Sequence, residues 1–169
     1  MRLLVTYLAI LLLLGSACQG ETRKNTTTPE PQTVEEYTRA IIREVQQVIL
    51  STDRQLQGLT PQQLEWPTGA GREYLLLQLW TEAGNPVKLL ASAPENGEPS
   101  RNRRAFYFAG GELFFATRPG AQFIFIDKQL KYRLDGNWRP ASAPEEKQRE
   151  DEQALLEQAR VYLEAFDKQ

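Results

Sequence analysis

Two hairpins of one construction lie end to end between Phe106 and Leu134, and they commit the middle of the chain to an antiparallel sheet. Phe106-Tyr107-Phe108-Ala109-Gly110-Gly111-Glu112-Leu113-Phe114-Phe115 is echoed seventeen positions later by Phe123-Ile124-Phe125-Ile126-Asp127-Lys128-Gln129-Leu130-Lys131-Tyr132. A two-residue loop at Gly110-Gly111 supplies the positive φ that the favoured hairpin turns require. It pairs Phe108 with Leu113 and Phe106 with Phe115, which places all four side chains on one face. A loop at Asp127-Lys128 pairs Phe125 with Leu130 and Phe123 with Tyr132 on the same side. Lys at positive φ is disfavoured, so a longer loop is the alternative at that turn.

The start of the chain is of another kind. Met1-Arg2 is a short basic head, Leu3 to Leu14 an apolar run, and Gly15-Ser16-Ala17-Cys18 a stretch of small residues ending in the one cysteine. About a dozen apolar residues fall short of the roughly 20 that span a bilayer. They match the roughly 7 to 15 of a secretory signal. Ser16, Ala17 and Cys18 resemble the lipobox of bacterial lipoprotein precursors, in which Leu usually stands where this chain has Gly15. The resemblance implies cleavage between Ala17 and Cys18, a diacylglyceryl group on the Cys18 sulfur and an acyl chain on its amine. Several chains in one place anchor a protein where one alone holds it marginally. A lone cysteine also has no internal disulfide partner. An ordinary signal peptide cut after Ala17 or Gly20 is the alternative. Gln19, a non-Asp residue, resembles the outer-membrane sorting signal of Gram-negative lipoproteins.

The expected organisation is a signal peptide at 1–17, a disordered tether at 18–32 and one α+β domain at 33–169. The tether carries Thr26-Thr27-Thr28 and Pro29-Glu30-Pro31 without apolar periodicity. Thr33-Val34-Glu35-Glu36 has capping-box form, and Tyr37, Ile41, Val45, Val48 and Ile49 recur at helical spacing. This predicts a helix over 33–57. Thr60-Pro61-Gln62-Gln63 offers at most a short connecting helix, stopped by Trp66-Pro67. Strands are expected over 72–139. Tyr74 to Trp80 is apolar on both faces, a Gly84-Asn85 turn opposes Trp80 to Leu89, and Pro94 to Ser100 is a loop. Asn137-Trp138-Arg139 is a short last strand. Ser142-Ala143-Pro144-Glu145 reads as a second helix start, with a helix over 143–167 whose first polar turns project into solvent. Leu155, Ala159, Tyr162, Leu163 and Phe166 mark its buried face. The fold class is therefore α+β, an antiparallel meander of six or seven strands flanked by an N-terminal and a C-terminal helix. Two helices leave open whether the sheet curls on itself or keeps one face for a partner.

The chain has no histidine, which removes the commonest general base and metal ligand. With Cys18 assigned to lipid, no Ser-His, Cys-His or cysteine-based metal arrangement can be written. The reading assigns no catalytic residue, metal or cofactor, and a carboxylate-dependent hydrolase is the residual enzymatic alternative. The 39-residue stretch 101–139 holds eight basic side chains against Glu112, Asp127 and Asp135, whereas 142–169 holds eight acids against four bases. Mutual compensation of acidic helix and basic sheet accounts for this. The sharper reading makes Arg101, Arg103 and Arg104 a docking patch for phosphate, lipid headgroup or polyanionic sugar. Tyr107, Phe114 and Trp138 form a candidate aromatic face. Nucleic acid does not suit an exported chain of net charge −2.

The mature chain as a whole resembles a loose class of bacterial exported proteins, often lipoproteins. These join an N-terminal helix to successive Tyr/Phe-x-Phe-x-x-Gly-x-Leu hairpins and end in a helix. Phe106 to Leu113 carries the match, and Asp127-Lys128 stands where the class has Asn-Gly or Asp-Gly. The hairpins are also distantly similar to MORN-type repeats. The motif is a structural device and brings no activity. The expected role is that of a non-catalytic binding or scaffolding domain anchored in the cell envelope, facing a protein, glycan or lipid. A carrier holding an apolar ligand between a curled sheet and a helix is the rival.

Overall fold

The computed structural model describes residues 33–68, 74–95, 98–99 and 103–168, all within one compact unit. Cys18, Ala17 and the tether lie outside the described residues. Helix α1 (Val34–Gln55) opens on the expected capping box: the Thr33 hydroxyl accepts from the Glu36 amide, and the Glu36 carboxylate accepts from the Thr33 amide, both at 3.1 Å. Nine strands follow among the described residues: β1 (Gln62–Pro67), β2 (Tyr74–Glu82), β3 (Asn85–Ser92), β4 (Pro94–Glu95), β5 (Glu98–Pro99), β6 (Arg104–Ala109), β7 (Glu112–Arg118), β8 (Ala121–Ile126) and β9 (Gln129–Asp135). Helix α2 (Glu145–Asp167) closes the chain.

Seven strands make one antiparallel meander in the order β1-β2-β3-β6-β7-β8-β9, and β4-β5 is a separate two-stranded excursion. The fold is α+β. Side chains alternate across a strand, so each apolar strand feeds two cores. On one face Leu77, Leu89, Phe106, Phe108, Phe123, Phe125 and Leu130 pack with Leu155, Ala159 and Tyr162 of α2. On the other, Tyr107, Phe115, Ile124 and Leu134 pack with Ile42 of α1. One helix on each face resolves the covering of a sheet that is apolar on both sides. Each fully buried large side chain contributes roughly 1.5–3 kcal/mol.

The hairpin registers differ from expectation in a regular way. Phe108 opposes Leu113 and Phe125 opposes Leu130 as derived. Beyond these, Phe115 opposes Tyr107 rather than Phe106, and Tyr132 opposes Ile124 rather than Phe123. One residue, Phe114 in β7 and Lys131 in β9, bulges out of each ladder and shifts every later side chain to the opposite face. Phe115 is thereby moved to the α1 side. The β2-β3 hairpin turns at Ala83-Gly84, not Gly84-Asn85, and pairs Trp80 with Lys88, leaving Val87 as its bulge. All three loops hold two consecutive positive-φ residues: Ala83 and Gly84, Gly110 and Gly111, Asp127 and Lys128. The bulge falls three residues past the second of them each time.

Two other expectations are corrected. The stretch after Pro61 is an edge strand rather than a helix, because Gln62 to Pro67 pairs with β2 and alternation drops Leu64 and Trp66 onto the α2 face. Ser142 does not cap α2: the cap residue is Pro144, without a side-chain bond. The polar first turns of α2 are mostly exposed, as expected, with Glu145, Glu146, Lys147, Arg149 and Glu150 in solvent, while Gln148 and the turn that follows it reach the sheet. Gln148 donates to the Leu130 carbonyl at 2.8 Å and Glu152 accepts from the Leu130 amide at 2.6 Å, so two side chains satisfy the edge of β9. Asp151, buried, takes Arg118 and Arg133 at 3.1 and 3.2 Å. The acid of the helix thus meets the bases of the sheet.

Candidate binding groove

The segment after β9 doubles back in a three-residue loop rather than the short strand expected at Asn137-Trp138-Arg139. Asp135 donates its amide to the Arg139 carbonyl at 2.9 Å, Trp138 donates to the Asp135 carbonyl at 3.1 Å, and a single bridge joins Leu134 to Pro140. The Asp135 carboxylate accepts from the amides of Asn137 and Arg139 at 2.8 and 2.9 Å. The Arg139 amide first, then the Asn137 amide and the Arg139 charge, hold that carboxyl below its ordinary pKa. In such a loop the third residue is left-handed and is usually glycine. Here it is Trp138, at φ 64°. A bulky side chain in that region costs about 1–3 kcal/mol, and outliers of this kind concentrate at functional sites.

The Trp138 ring lies parallel to Phe115, centroids 5.2 Å apart and planes 2° apart. That stack holds one indole face, and Trp138 is among the residues that line a groove of about 580 Å³. Its lining comes from the first three turns of α1 (Glu35, Thr38, Arg39, Ile42, Arg43 and Gln46) and from Trp138, Arg139 and Pro140. Three guanidinium groups meet a single carboxylate there. Glu35 pairs with Arg39 one turn on, and Arg43 Nε donates to the Arg39 carbonyl at 3.4 Å. The Thr38 hydroxyl is engaged with the Val34 carbonyl at 2.9 Å. Arg43 and Arg139 make no ion pair among the described residues, and no acceptor there meets the Trp138 indole N–H.

Of the residues singled out from the sequence, Tyr107, Phe114 and Trp138 all come to the α1 face. Tyr107 meets Phe114 edge-on at 6.4 Å and Phe115 at 5.8 Å, so most of that aromatic cluster is core under α1 and only Trp138 reaches the groove. The arginines are not brought together. Arg101 lies outside the described residues. Arg104 sits in a recess of about 310 Å³ with Leu75, Ala91, Ala93 and Pro119, on the α2 side, whereas exposed Arg103 acts electrostatically on Tyr107 on the α1 side. Neighbouring residues at a strand start face opposite ways. Arg39, Arg43 and Arg139 were missed, since charges off an amphipathic stripe ordinarily mean solvation. What sets them apart is the loop packed beside them.

A second groove, about 700 Å³, lies between the β6-β7 tip and α2. Phe108, Leu113, Leu156, Ala159 and Leu163 form its apolar lining. Among the described residues no cluster of three or more His, Cys, Asp or Glu could hold a metal ion, and no helix is long and apolar enough to cross a membrane. Comparison with protein-family models, curated proteins and solved structures yields no match.

Proposed function

We propose that the protein is a non-catalytic binding domain held at the bacterial cell envelope, in the outer membrane, by lipid on Cys18. The groove beside α1 is its contact site. The observation that carries this reading is the groove's composition: three arginines and a strained tryptophan, drawn from α1 and the loop after β9, with one carboxylate that is already paired. Binding rather than turnover is supported by the chemistry present. A hydrolase of the carboxylate type needs a second acid or base facing the first, and the groove lining holds none. Fourteen residues separate Cys18 from the α1 cap at Thr33. They reach at most about 50 Å when fully extended, which keeps this end of the domain beside the membrane that holds the anchor.

The test is the mass of the mature N-terminus after expression in a bacterial host with lipoprotein processing. Thioether-linked diacylglycerol and an amide-linked acyl chain on Cys18 are expected, with partition into the detergent phase. Cys18→Ser should move the protein into the aqueous phase. Wild-type protein without acyl mass, staying aqueous, overturns the anchored reading.

The second groove favours a second reading, carriage of an apolar ligand against α2. Solvent extraction of protein purified from native membrane should then release a stoichiometric lipid, and Leu156→Glu should abolish its recovery.

A further inference from the structure

We infer that the groove beside α1 is a subsite for an acidic sugar, a pyranose bearing a carboxylate, presented by an envelope glycan. The inference rests on the contact role proposed above and names the ligand class. A volume of about 580 Å³ lies within the roughly 300–1,000 Å³ of small-ligand sites, and it is shared between a flat apolar surface and a cationic rim. The flat surface is Trp138, locked in orientation by its parallel stack on Phe115. Ile42 and Pro140 extend it. Such a face suits the axial C–H side of a sugar ring, as it suits any rigid amphipathic disc. The rim is Arg39, Arg43 and Arg139.

Guanidinium forks match carboxylates bidentately. Arg39 is already engaged by Glu35, which leaves Arg43 and Arg139 without a contact ion pair among the described residues, although the Arg139 charge is felt by Asp135. They reach the groove from two elements, one from the helix and the other from the loop that carries Trp138, so a carboxylate bound by both is oriented relative to the stacked ring. The indole N–H and the Gln46 amide add neutral polar groups for hydroxyls. A purely apolar ligand would leave two guanidinium groups desolvated without a partner. A bare anion would leave Trp138 without purpose at its strained φ. An acidic ring uses both halves.

The experiment uses full-length protein in mild detergent and calorimetric titration with four probes: a uronic-acid trisaccharide, the neutral trisaccharide of the same linkage, inorganic phosphate, and phosphatidylglycerol micelles. Saturable binding of the uronate is expected, with the neutral sugar at least tenfold weaker. Raising salt from 0.1 to 0.5 M should weaken uronate binding severalfold. Arg43→Gln with Arg139→Gln, both exposed positions, should lose at least tenfold in affinity while the thermal midpoint stays within about 1 °C. Trp138→Phe should lose severalfold and keep the charge preference. Equal binding of neutral and acidic sugar, an unaffected arginine double variant, or phosphate or phosphatidylglycerol binding as tightly as the uronate each overturns the inference. Acyl mass on Cys18 is measured in the same preparation. Anchored protein that ignores the uronate refutes the ligand class alone, and uronate binding by protein without acyl mass refutes the anchor alone.

Discussion

Tyr107 joins the two structural roles of the α1 face, apolar core and polar pin. Its ring packs with Phe114 and Phe115, while its hydroxyl donates to both oxygens of Asp53 at 3.0 and 3.2 Å. Lys88 adds an ion pair to Asp53 at 2.7 Å and lies 5.0 Å from the Tyr107 ring centre. Burial first, then the charge of Asp53 and the hydrogen bond to it, push the Tyr107 phenol well above its ordinary value of 10.0; Arg103 opposes weakly. The neutral form is therefore the folded one. Its contribution is complete below pH 10 and is lost as pH rises past 10 toward the folded value, because the unfolded phenol ionises and the folded one does not. Tyr107→Phe should cost about 1–2 kcal/mol at pH 8, the lower end for a bond to a charged acceptor that is partly solvated. The gap from wild type should then narrow above pH 10, by up to about 1.4 kcal/mol per pH unit. Urea midpoints at pH 8 and pH 11 measure it, and a gap equal at both values excludes this account.

Three hairpins share one device, a two-residue loop of positive φ followed three residues later by a bulge, and the third carries the worst loop chemistry. The second loop position is Gly84 in one hairpin, Gly111 in another and Lys128, at φ 64°, in the last. A non-glycine residue there costs about 1–2 kcal/mol. The Lys128 ion pair with Glu112, both ends more than half exposed, returns only a few tenths of that. Lys128→Gly should raise stability by about 0.5–1 kcal/mol after the extra unfolded-state entropy of glycine, or about 2–4 °C in Tm for a domain of this size. Gly111→Lys should lower it by a similar or larger amount; calorimetry showing a loss for Lys128→Gly or a gain for Gly111→Lys refutes the equivalence of the loops. Two of these loops were legible in place, because the Gly110-Gly111 pair and a seventeen-residue echo are local signals, whereas the turn expected at Gly84-Asn85 falls one residue earlier. The bulges were not, since a bulge at Phe114 or Lys131 needs no punctuating residue and follows from sheet twist and core fit. The edge strand β1 hid behind Thr60-Pro61, which is good helix-start chemistry overridden by pairing with β2. Asp151 hid because an acid on a helix reads as surface until Arg118 and Arg133 reach it from another element. The groove was half legible: Trp138 was singled out as part of an aromatic face, though in a strand, whereas Arg39 and Arg43 acquire meaning only from a loop about a hundred residues away.

Across the whole molecule the two helices are held very unequally. Helix α2 buries Asp151, Leu155, Ala159, Tyr162 and Ala165 and also plugs the β9 edge, whereas α1 buries Ile42 alone. Part of the apolar stripe that makes α1 amphipathic is exposed: Val34 is 85%, Tyr37 54% and Val48 43% exposed. Its remaining ties are the partly buried Ile41, Val45 and Ile49 and the Asp53 pin to Lys88 and Tyr107 at its far end. An element with so few buried contacts opens below the global unfolding free energy. Native-state hydrogen exchange should therefore show the amides of α1 protected several kcal/mol less than those of α2, β6, β7 and β8. Ile42→Ala should cost about 2–4 kcal/mol, and the loss should fall on α1 rather than on α2. Because Ile42 also lines the groove, the open state has no groove. A groove ligand must then slow exchange in α1 by the factor by which its concentration exceeds its Kd, and leave α2 nearly unchanged until global unfolding dominates. Uniform protection of both helices, in the free protein and with ligand, would mean that α1 is a fixed wall.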